Sequence, residues 1–336
     1  MVRTLIPLLT FLAVVLIGDA AAAETFQLPT ANHALFQAGG EENFLVGTVG
    51  KPWTSGGFGC VRSDGWRMHE GLDIRAIQHD RNGEPADPVK ATADGEVAYV
   101  NNRPSLSNYG NYVVLRHHVQ ELEIYSIYAH LSAIRKDLAA GSRIKQGEMI
   151  ATMGRTSNTR ERISKDRAHV HFELNLFLND RFDGWHQKNM PDQRNDHGRW
   201  NGINMLGLDP RLILLGQTAT NFSLVGFIQA QPDLCRVVVK ATDFPFLHRY
   251  QALIQKNPTA EKQGMVAYEM ALNFNGVPTR LIPRAASELK STAKLQLLSV
   301  NEAEYRRCPC RKLVVRRGTS WELSEGGRRL IGLIAY

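Results

Sequence analysis

The stretch Ala168-His169-Val170-His171-Phe172-Glu173-Leu174 alternates polar and apolar side chains, which is the pattern of a β-strand with one buried face. Because successive side chains of a strand point to opposite faces, the imidazoles of His169 and His171 emerge on the same face, about 6.6 Å apart along the backbone. The chain has 11 histidines, so an accidental surface or core pair is the alternative interpretation. The pair needs a further ligand before it indicates a metal.

A second segment, Met68-His69-Glu70-Gly71-Leu72-Asp73-Ile74, places a histidine and a carboxylate four positions apart. An extended strand would separate their backbones by about 13 Å, so His69 and Asp73 reach one ion only if the chain kinks, which Gly71 permits. Taken alone, the segment could equally be a turn in which Asp73 caps local amides.

One carboxylate and two imidazoles are the ligands of a catalytic zinc, which keeps its fourth position for water. The two segments together therefore predict a metal site of the open, catalytic kind. Zinc is favoured over iron because hydrolysis needs no redox chemistry, although the ligand types do not exclude other metals.

The surrounding sequence predicts a mainly β fold with minor α content. Strands rich in β-branched and aromatic residues are expected at 96–100, 112–116 and 122–128, followed by turns and short strands over 139–153. Residues 177–209 have the composition of a long surface excursion. Further strands are expected at 222–228, 235–240 and 311–316, and a helix at 285–294.

Length and composition predict two domains after a leader. Arg3, an apolar run over 5–17 and an alanine-rich site indicate a cleavable signal peptide, with an uncleaved anchor as the alternative. What remains is longer than one core usually organises. The expected division is a signal peptide at 1–23, an N-terminal arm at 24–46, a domain that carries the predicted zinc site at 47–215 and a C-terminal β-rich domain at 216–336.

Net charge and hydropathy indicate which partners the protein can bind and where in the cell it is located. The net charge is +7, which attracts polyanions such as cell-wall polymers. Basic residues are scattered rather than gathered in one run, so we expect no nucleic-acid site. We also expect no membrane span after signal cleavage. The protein is therefore predicted to be exported, to the periplasm or to the extracellular space and cell wall.

The four cysteines suit an oxidising compartment. Cys308 and Cys310 are too close in sequence to bridge each other without strain, so Cys235 is expected to bond one of them. Cys60 would then pair with the remaining cysteine or stay a buried thiol.

These segments, in this order, resemble the lysostaphin-type peptidoglycan endopeptidases, whose catalytic domain carries the motifs H-x-G-x-D, Y-x-H-L and H-x-H-F-E. The middle motif is Tyr128-Ala129-His130-Leu131, and residues 141–150 are similar to the family's G-x-x-V-x-x-G-x-x-I run. The resemblance covers about residues 48–176. It implies a small antiparallel sheet that forms the floor of a groove, with His69, Asp73 and His171 binding one zinc.

The resemblance also implies that His169 and His130 stand free beside the metal and act on the attacking water, its proton and the oxyanion. The implied function is a secreted zinc metalloendopeptidase that cuts stem peptides or cross-links of peptidoglycan. Two other hypotheses remain: a non-catalytic wall-binding or regulatory protein, since some relatives have lost the metal site, and a zinc endopeptidase acting on proteins. The scissile bond and any protein regulators stay open.

The sequence departs from the family before the H-x-H motif, where the usual glycine-rich turn is replaced by Gly154-Arg155-Thr156-Ser157-Asn158-Thr159-Arg160 and a charged extension. Arg160, Arg162, Lys165 and Arg167 are candidates to contact acidic groups of a stem peptide, or belong to a solvated loop.

Overall fold

The structure is a computed structural model that describes residues 25–159 and 163–336. The predicted signal peptide at 1–23 lies outside these residues, as do Arg160 and Arg162 of the charged extension. Within the described ranges, no helix combines the length and the apolar character needed to cross a bilayer.

The described residues form eighteen strands: β1 Gly59–Arg62, β2 Arg67–His69, β3 Leu72–Arg75, β4 Pro88–Lys90, β5 Gly95–Asn101, β6 Tyr112–Val119, β7 Leu122–Ala129, β8 Ala133–Ile134, β9 Arg143–Ile144, β10 Met149–Thr152, β11 His169–Phe177, β12 Met205–Leu208, β13 Cys235–Val239, β14 Ala267–Leu272, β15 Pro278–Arg284, β16 Leu295–Val300, β17 Val314–Arg317 and β18 Ser320–Leu323. The α-helices in the same ranges are α1 Glu41–Phe44, α2 Phe182–Asn189, α3 Pro210–Gly216, α4 Leu224–Gln229, α5 Pro245–Arg249, α6 Pro258–Gln263, α7 Glu302–Arg307 and α8 Glu325–Ile334. Short 3-10 turns cover Ala34–Phe36, Trp53–Gly56, Pro104–Leu106, Lys165–Arg167, Gly198–Trp200, Gly202–Asn204, Gln251–Leu253 and Ala286–Glu288.

A seven-stranded sheet is built around β11, with the order β12-β11-β7-β6-β5-β9 and with β3 also paired to β11. One edge of β11 pairs with β3 in its first half and with β12 in its second half, while β7 runs along the other edge. All pairings among these strands are antiparallel. The prediction of a mainly β, mostly antiparallel fold with minor α content is confirmed, and the strands expected at 96–100, 112–116 and 122–128 lie within β5, β6 and β7.

The two faces of β11 have different neighbours, as its alternating sequence predicts. Val170, Phe172 and Leu174 are fully buried in the larger core cluster. Phe177, on the histidine-bearing face, belongs to a separate cluster that includes Tyr112 and Tyr125. The polar face therefore starts at the histidines and continues into an aromatic layer.

The C-terminal part of the chain contains a four-stranded antiparallel sheet in the order β15-β14-β13-β16 and the hairpin β17-β18. One cluster of buried side chains extends from Phe26 to Ile334 and includes residues of the arm, the large sheet and the C-terminal sheet. The packing is therefore continuous, and the domain boundary at 215/216 stays a prediction.

Three local predictions are wrong. Residues 224–229 form α4 rather than a strand, because Ser223 accepts a hydrogen bond from the Gly226 amide and caps a helix. The helix expected at 285–294 is a 3-10 turn at Ala286–Glu288 followed by β16. Within 177–209, α2 buries Phe182, Trp185 and His186 instead of running over the surface.

Candidate metal centre and cleft

Three side chains predicted as metal ligands lie together at the start of β11. Asp73 Oδ1 is 2.9 Å from His171 Nδ1 and 3.1 Å from His69 Nε2, and the two nitrogens are 3.1 Å apart. All three residues are buried. Among the described residues this is the one group of three or more histidine, cysteine or acidic side chains whose ligand atoms could hold a metal ion.

Strand register places Asp73 and His171 side by side. In the pairing of β3 with β11, Asp73 lies directly opposite His171, so both side chains emerge on the same face. Ala129 of β7 is opposite His171 on the other edge and leaves room above the sheet because its side chain is small. Two neighbouring strands thus fix one carboxylate and one imidazole in contact.

A break in the chain at Gly71 brings His69 to the same point. β2 ends at His69 and β3 begins at Leu72, so the strand is interrupted where the sequence predicts a kink. A Cβ on Gly71 would lie 2.3 Å from the carbonyl oxygen of Phe172 and 2.8 Å from Cγ of Glu173, closer than any side chain allows. Glycine is therefore required there by the close approach of β11.

Hydrogen bonds to the opposite ring nitrogens orient both histidines. His69 Nδ1 donates to the Gly57 carbonyl at 2.7 Å, which leaves the Nε2 lone pair directed at Asp73. His171 has the reverse arrangement, since its Nε2 donates to Glu173 Oε1 at 2.7 Å and its Nδ1 faces Asp73. Fixed tautomers of this kind are typical of metal-binding histidines.

Burial raises the pKa of Asp73, but the nearby His169 and His69 and the hydrogen bond from His171 outweigh it and hold the pKa well below the usual range. Burial lowers the pKa of His171, but hydrogen bonds to Asp73 and Glu173 outweigh it and raise the pKa to about 10. The carboxylate is therefore ionised, and a metal ion binding at His171 Nδ1 has to displace a proton. The donor set, two imidazole nitrogens and a carboxylate oxygen, fits zinc.

Glu173 supports the cluster from behind and was not singled out by the sequence analysis. Besides accepting from His171, its carboxylate accepts from the Tyr109 hydroxyl at 2.6 Å and from Asn175 Nδ2 at 2.9 Å. Glu173 is only 2% exposed. The signal was present in the sequence, because Glu173 follows His171 by two positions in a strand and so lies on the same face.

Replacing Glu173 with Gln should weaken zinc binding by about 10- to 100-fold, the usual effect of losing the hydrogen-bond partner of a ligating histidine. The amide oxygen of Gln can still accept from His171 and Tyr109, which both donate to Oε1, but the amide removes the negative charge behind His171 and places an NH₂ group opposite Asn175 Nδ2 in place of the acceptor Oε2. Competition titration with a zinc chelator measures the change. Glu96→Gln, in β5 and outside the cleft, is the matched control; equal affinities for E173Q and E96Q would contradict this role.

His169 and His130 lie beside the cluster, as predicted for the two free histidines. His169 Nε2 is 3.5 Å from Asp73 Oδ1, and the His169 and His130 rings are 4.9 Å apart between centroids. Their Nδ1 atoms donate to the carbonyls of Arg167 and Thr156 at 2.7 and 2.8 Å. Each Nε2 therefore faces the cleft as an acceptor.

Both histidines are neutral at pH 7. Burial lowers the pKa of His130 to about 3, and the neighbouring imidazoles of His169 and His171 disfavour a further positive charge there. Burial also lowers the pKa of His169 more than the neighbouring Asp73 raises it. In addition, His130 has a φ of +62°, a left-handed conformation that is costly for a side chain other than glycine. Such strain persists only where surrounding contacts hold it, and it concentrates at functional sites.

Arg62 of β1 also contacts the cluster and was missed by the sequence analysis. Its Nη2 donates to Asp73 Oδ2 at 2.5 Å and to His69 Nε2 at 2.9 Å. A guanidinium cannot bind a metal, and His69 Nε2 cannot serve both. A bound metal ion would therefore displace Arg62 from His69. The contact of Arg62 with Asp73 Oδ2 can remain.

The predicted disulfide is wrong in its pairing. Cys60 is bonded to Cys310, whereas Cys235 and Cys308 are free and buried. Cys235 lies inside the C-terminal sheet as the first residue of β13. The open alternative, a bond from Cys60 to one of the other cysteines, is the one that occurs. It ties the β1-β2 hairpin, which ends in His69, to the segment before β17.

The cluster opens into a cleft of about 1050 Å³ whose walls come from distant parts of the sequence. Arg167, from the charged extension, lines it and donates through Nε to the Gly47 carbonyl at 2.9 Å. Lys165 instead donates to the Asn82 carbonyl at 2.7 Å. The described part of the extension is therefore anchored by hydrogen bonds. Arg311 and Arg329, from the C-terminal region, also line the cleft.

Sequence comparison agrees with this geometry. Residues 67–183, which include all five histidines and acids of the predicted site, match Peptidase family M23. The lipoprotein NlpD of Yersinia enterocolitica is 32% identical over 95 residues, which are 28% of this chain and 84% of that protein. The chain belongs to peptidase family M23. The resemblance predicted from the three motifs is thereby confirmed.

Other relatives match about a third of this chain. The cell division protein DipM of Caulobacter vibrioides is 33% identical over 114 residues, 34% of this chain and 15% of DipM. Among solved structures, the catalytic domain of lysostaphin from Staphylococcus simulans has 22% identity and a TM-score of 0.24, over 35% of this chain and 75% of that domain. This M23 chain thus spans a small fraction of DipM, and residues after 183 lie outside the family match.

Proposed function

We propose that this protein is an exported zinc metalloendopeptidase that hydrolyses peptide bonds in peptidoglycan. The observation that carries the proposal is the meeting of His69, Asp73 and His171 in one buried group at a cleft, with two neutral histidines beside it. Three protein ligands leave the fourth position of a tetrahedral zinc open, as catalytic sites require.

A bound zinc would lower the pKa of a water molecule toward about 7 and polarise the scissile carbonyl. His169 is the proton acceptor in this proposal, because its free Nε2 is 3.5 Å from Asp73 Oδ1 and its ring is neutral. It then returns the proton to the leaving amine. His130 is neutral and its Nδ1 hydrogen is held by the Thr156 carbonyl, so its Nε2 is a second acceptor, which can orient the attacking water through one of the water's O–H groups.

The substrate class follows from the family and from charge. Relatives that match the peptidase segment include a protein named murein hydrolase activator NlpD in Escherichia coli, 32% identical over 106 residues, 32% of this chain and 22% of that protein. The net charge of +7 favours binding to an anionic wall polymer. Both support a role in the cell envelope.

A second candidate is a non-catalytic regulator that binds the wall. Arg62 favours it, because this side chain occupies the ligand face of His69 and Asp73 and opposes a second cation there. The NlpD relatives, named as activators, point in the same direction. The complete ligand set and both free histidines favour the enzyme.

The deciding experiment measures zinc content and digestion of purified peptidoglycan on one preparation of the purified protein, with mass spectrometry of released fragments. Stoichiometric zinc together with new peptide ends is the expected result, and the ends identify the cleaved bond. Zinc without peptidoglycan cleavage would direct the search to protein substrates. If the protein binds the wall but contains no zinc and releases no fragments, the regulator proposal holds and the enzyme proposal is wrong.

A further inference from the structure

One wall of the cleft is built by residues that lie outside the family match. Arg311 and Arg329 reach the cleft from the C-terminal region, whereas the match ends at residue 183. Arg311 directly follows Cys310, whose bond to Cys60 fixes this segment against the β1-β2 hairpin. The position of Arg311 relative to the metal ligands is therefore set by a covalent link.

A buried amide holds the Arg311 guanidinium on its inner side. Arg311 Nε donates to Asn275 Oδ1 at 2.6 Å, and Asn275 Nδ2 donates to the Gly207 carbonyl at 2.8 Å. Asn275 is fully buried, so this support is rigid. It is also uncharged, which means that it orients the guanidinium without neutralising it.

The outer side of Arg311 lacks a charged partner at hydrogen-bond distance. Its Nη1 is 4.0 Å from Glu70 Oε1, and within the described residues neither Nη group makes a hydrogen bond. Glu70 follows the predicted ligand His69, and Arg311, Glu70 and His69 line the same cleft. Cationic side chains outnumber acidic ones by seven to three along the described lining of the cleft.

We propose that Arg311 is a specificity-determining residue that binds a free carboxylate of the peptide substrate next to the scissile bond. This rests on the proposed function for the identity of the ligand as a peptide. Two parallel N–H groups match a planar carboxylate in a bidentate pair, which a guanidinium favours over a point-charge contact. The carboxylate is either the C-terminal group of the peptide or an acidic side chain.

Binding of one fluorescent pentapeptide, dansyl-Ala-Glu-Lys-Ala-Ala, tests the proposal. Its C-terminal amide and its Gln-for-Glu form each lack one carboxylate. Fluorescence anisotropy is measured on the zinc-loaded His169→Ala protein, in which hydrolysis is suppressed. Arg311→Gln should weaken binding of the parent peptide by about 10- to 100-fold, as expected for hydrogen bonds to a charged group. It should change binding of the form lacking the recognised carboxylate by less than about twofold.

Three further variants sharpen the test. Arg317→Gln, in β17 and outside the cleft, should bind like the parent protein. Arg311→Lys keeps the positive charge but loses the planar pair of N–H donors. Its affinity for the parent peptide should therefore lie between that of the protein with Arg311 intact and that of R311Q. Glu70→Gln should strengthen binding, since it removes the competing carboxylate at 4.0 Å. Melting temperatures establish that each variant is folded.

An equal loss for all three peptides would mean that Arg311 only packs the wall, and no loss for any would also overturn the proposal. These failures are separate from failure of the proposed function. If the wild-type protein cuts peptidoglycan while R311Q binds every peptide normally, the enzyme stands and the carboxylate subsite falls. If nothing is cut but R311Q loses only carboxylate-dependent binding, the subsite stands and the peptidase proposal falls.

Discussion

Replacing Asp73 with Ala should abolish zinc retention and peptidoglycan cleavage together. Asp73 Oδ1 is the atom common to the cluster, at 2.9 Å from His171, 3.1 Å from His69 and 3.5 Å from His169. Without it the site has no carboxylate ligand, and Arg62 loses its buried partner. We expect zinc affinity to fall by more than the roughly 100-fold upper range for residues that only support a ligand.

Zinc per chain after dialysis and fragment release from purified peptidoglycan are measured on the same samples. Asp73→Asn keeps the shape of the side chain and should show the same double loss, which separates metal binding from folding. Asp137→Ala is a suitable control, because Asp137 is an exposed carboxylate outside the cleft and pairs with Arg135. Unchanged cleavage by both Asp73 variants would refute the metal assignment.

The candidate ligands could be predicted because their signals are local. Alternation in β11 places His169 and His171 on one face, and Gly71 marks the break that lets His69 reach Asp73. What the sequence could not provide is the pairing of β3 with β11, which brings Asp73 opposite His171 across 98 positions. Here the family resemblance supplied what residue patterns alone did not.

The Cys60–Cys310 disulfide and the contact of Arg62 with Asp73 could not be predicted, because both join residues that are distant in sequence or brought together by folding. Cys60 and Cys310 are 250 positions apart, and no local pattern links them. Arg62 has an ordinary strand context, and its contact with Asp73 depends on how the β1-β2 hairpin folds back. Burial contacts of this kind appear only once the sheets are assembled.

The predictions for the short segments 222–228 and 285–294 are wrong for a different reason, because signals for more than one local structure compete there. The apolar run at 222–228 fits a strand or a buried helix equally well, and the capping residue Ser223 decides for α4. At 285–294, Glu288 accepts from the Ala285 amide and from Asn257. These bonds close a single turn at the start of the segment that was expected to be a helix.

Replacing His169 with Ala should leave zinc in place and lower kcat by about 100- to 10,000-fold, the range for loss of a general base. His169 touches Asp73 at 3.5 Å but is not part of the group whose ligand atoms meet. Because its pKa is lowered by burial, the ring can accept a proton at neutral pH. A ligand would behave differently, since its removal takes metal and activity away together.

The comparison of His169 with Asp73 therefore separates proton transfer from metal binding at one site. Zinc content and initial rates of peptide release are measured for His169→Ala, with His118→Ala as control, because His118 is an exposed histidine of β6 outside the cleft. Loss of zinc from H169A would make His169 a ligand and overturn its assignment as the base. Retained zinc with normal kcat would move the proton transfer to His130, whose Nε2 also faces the cleft as an acceptor and whose strained backbone the fold maintains.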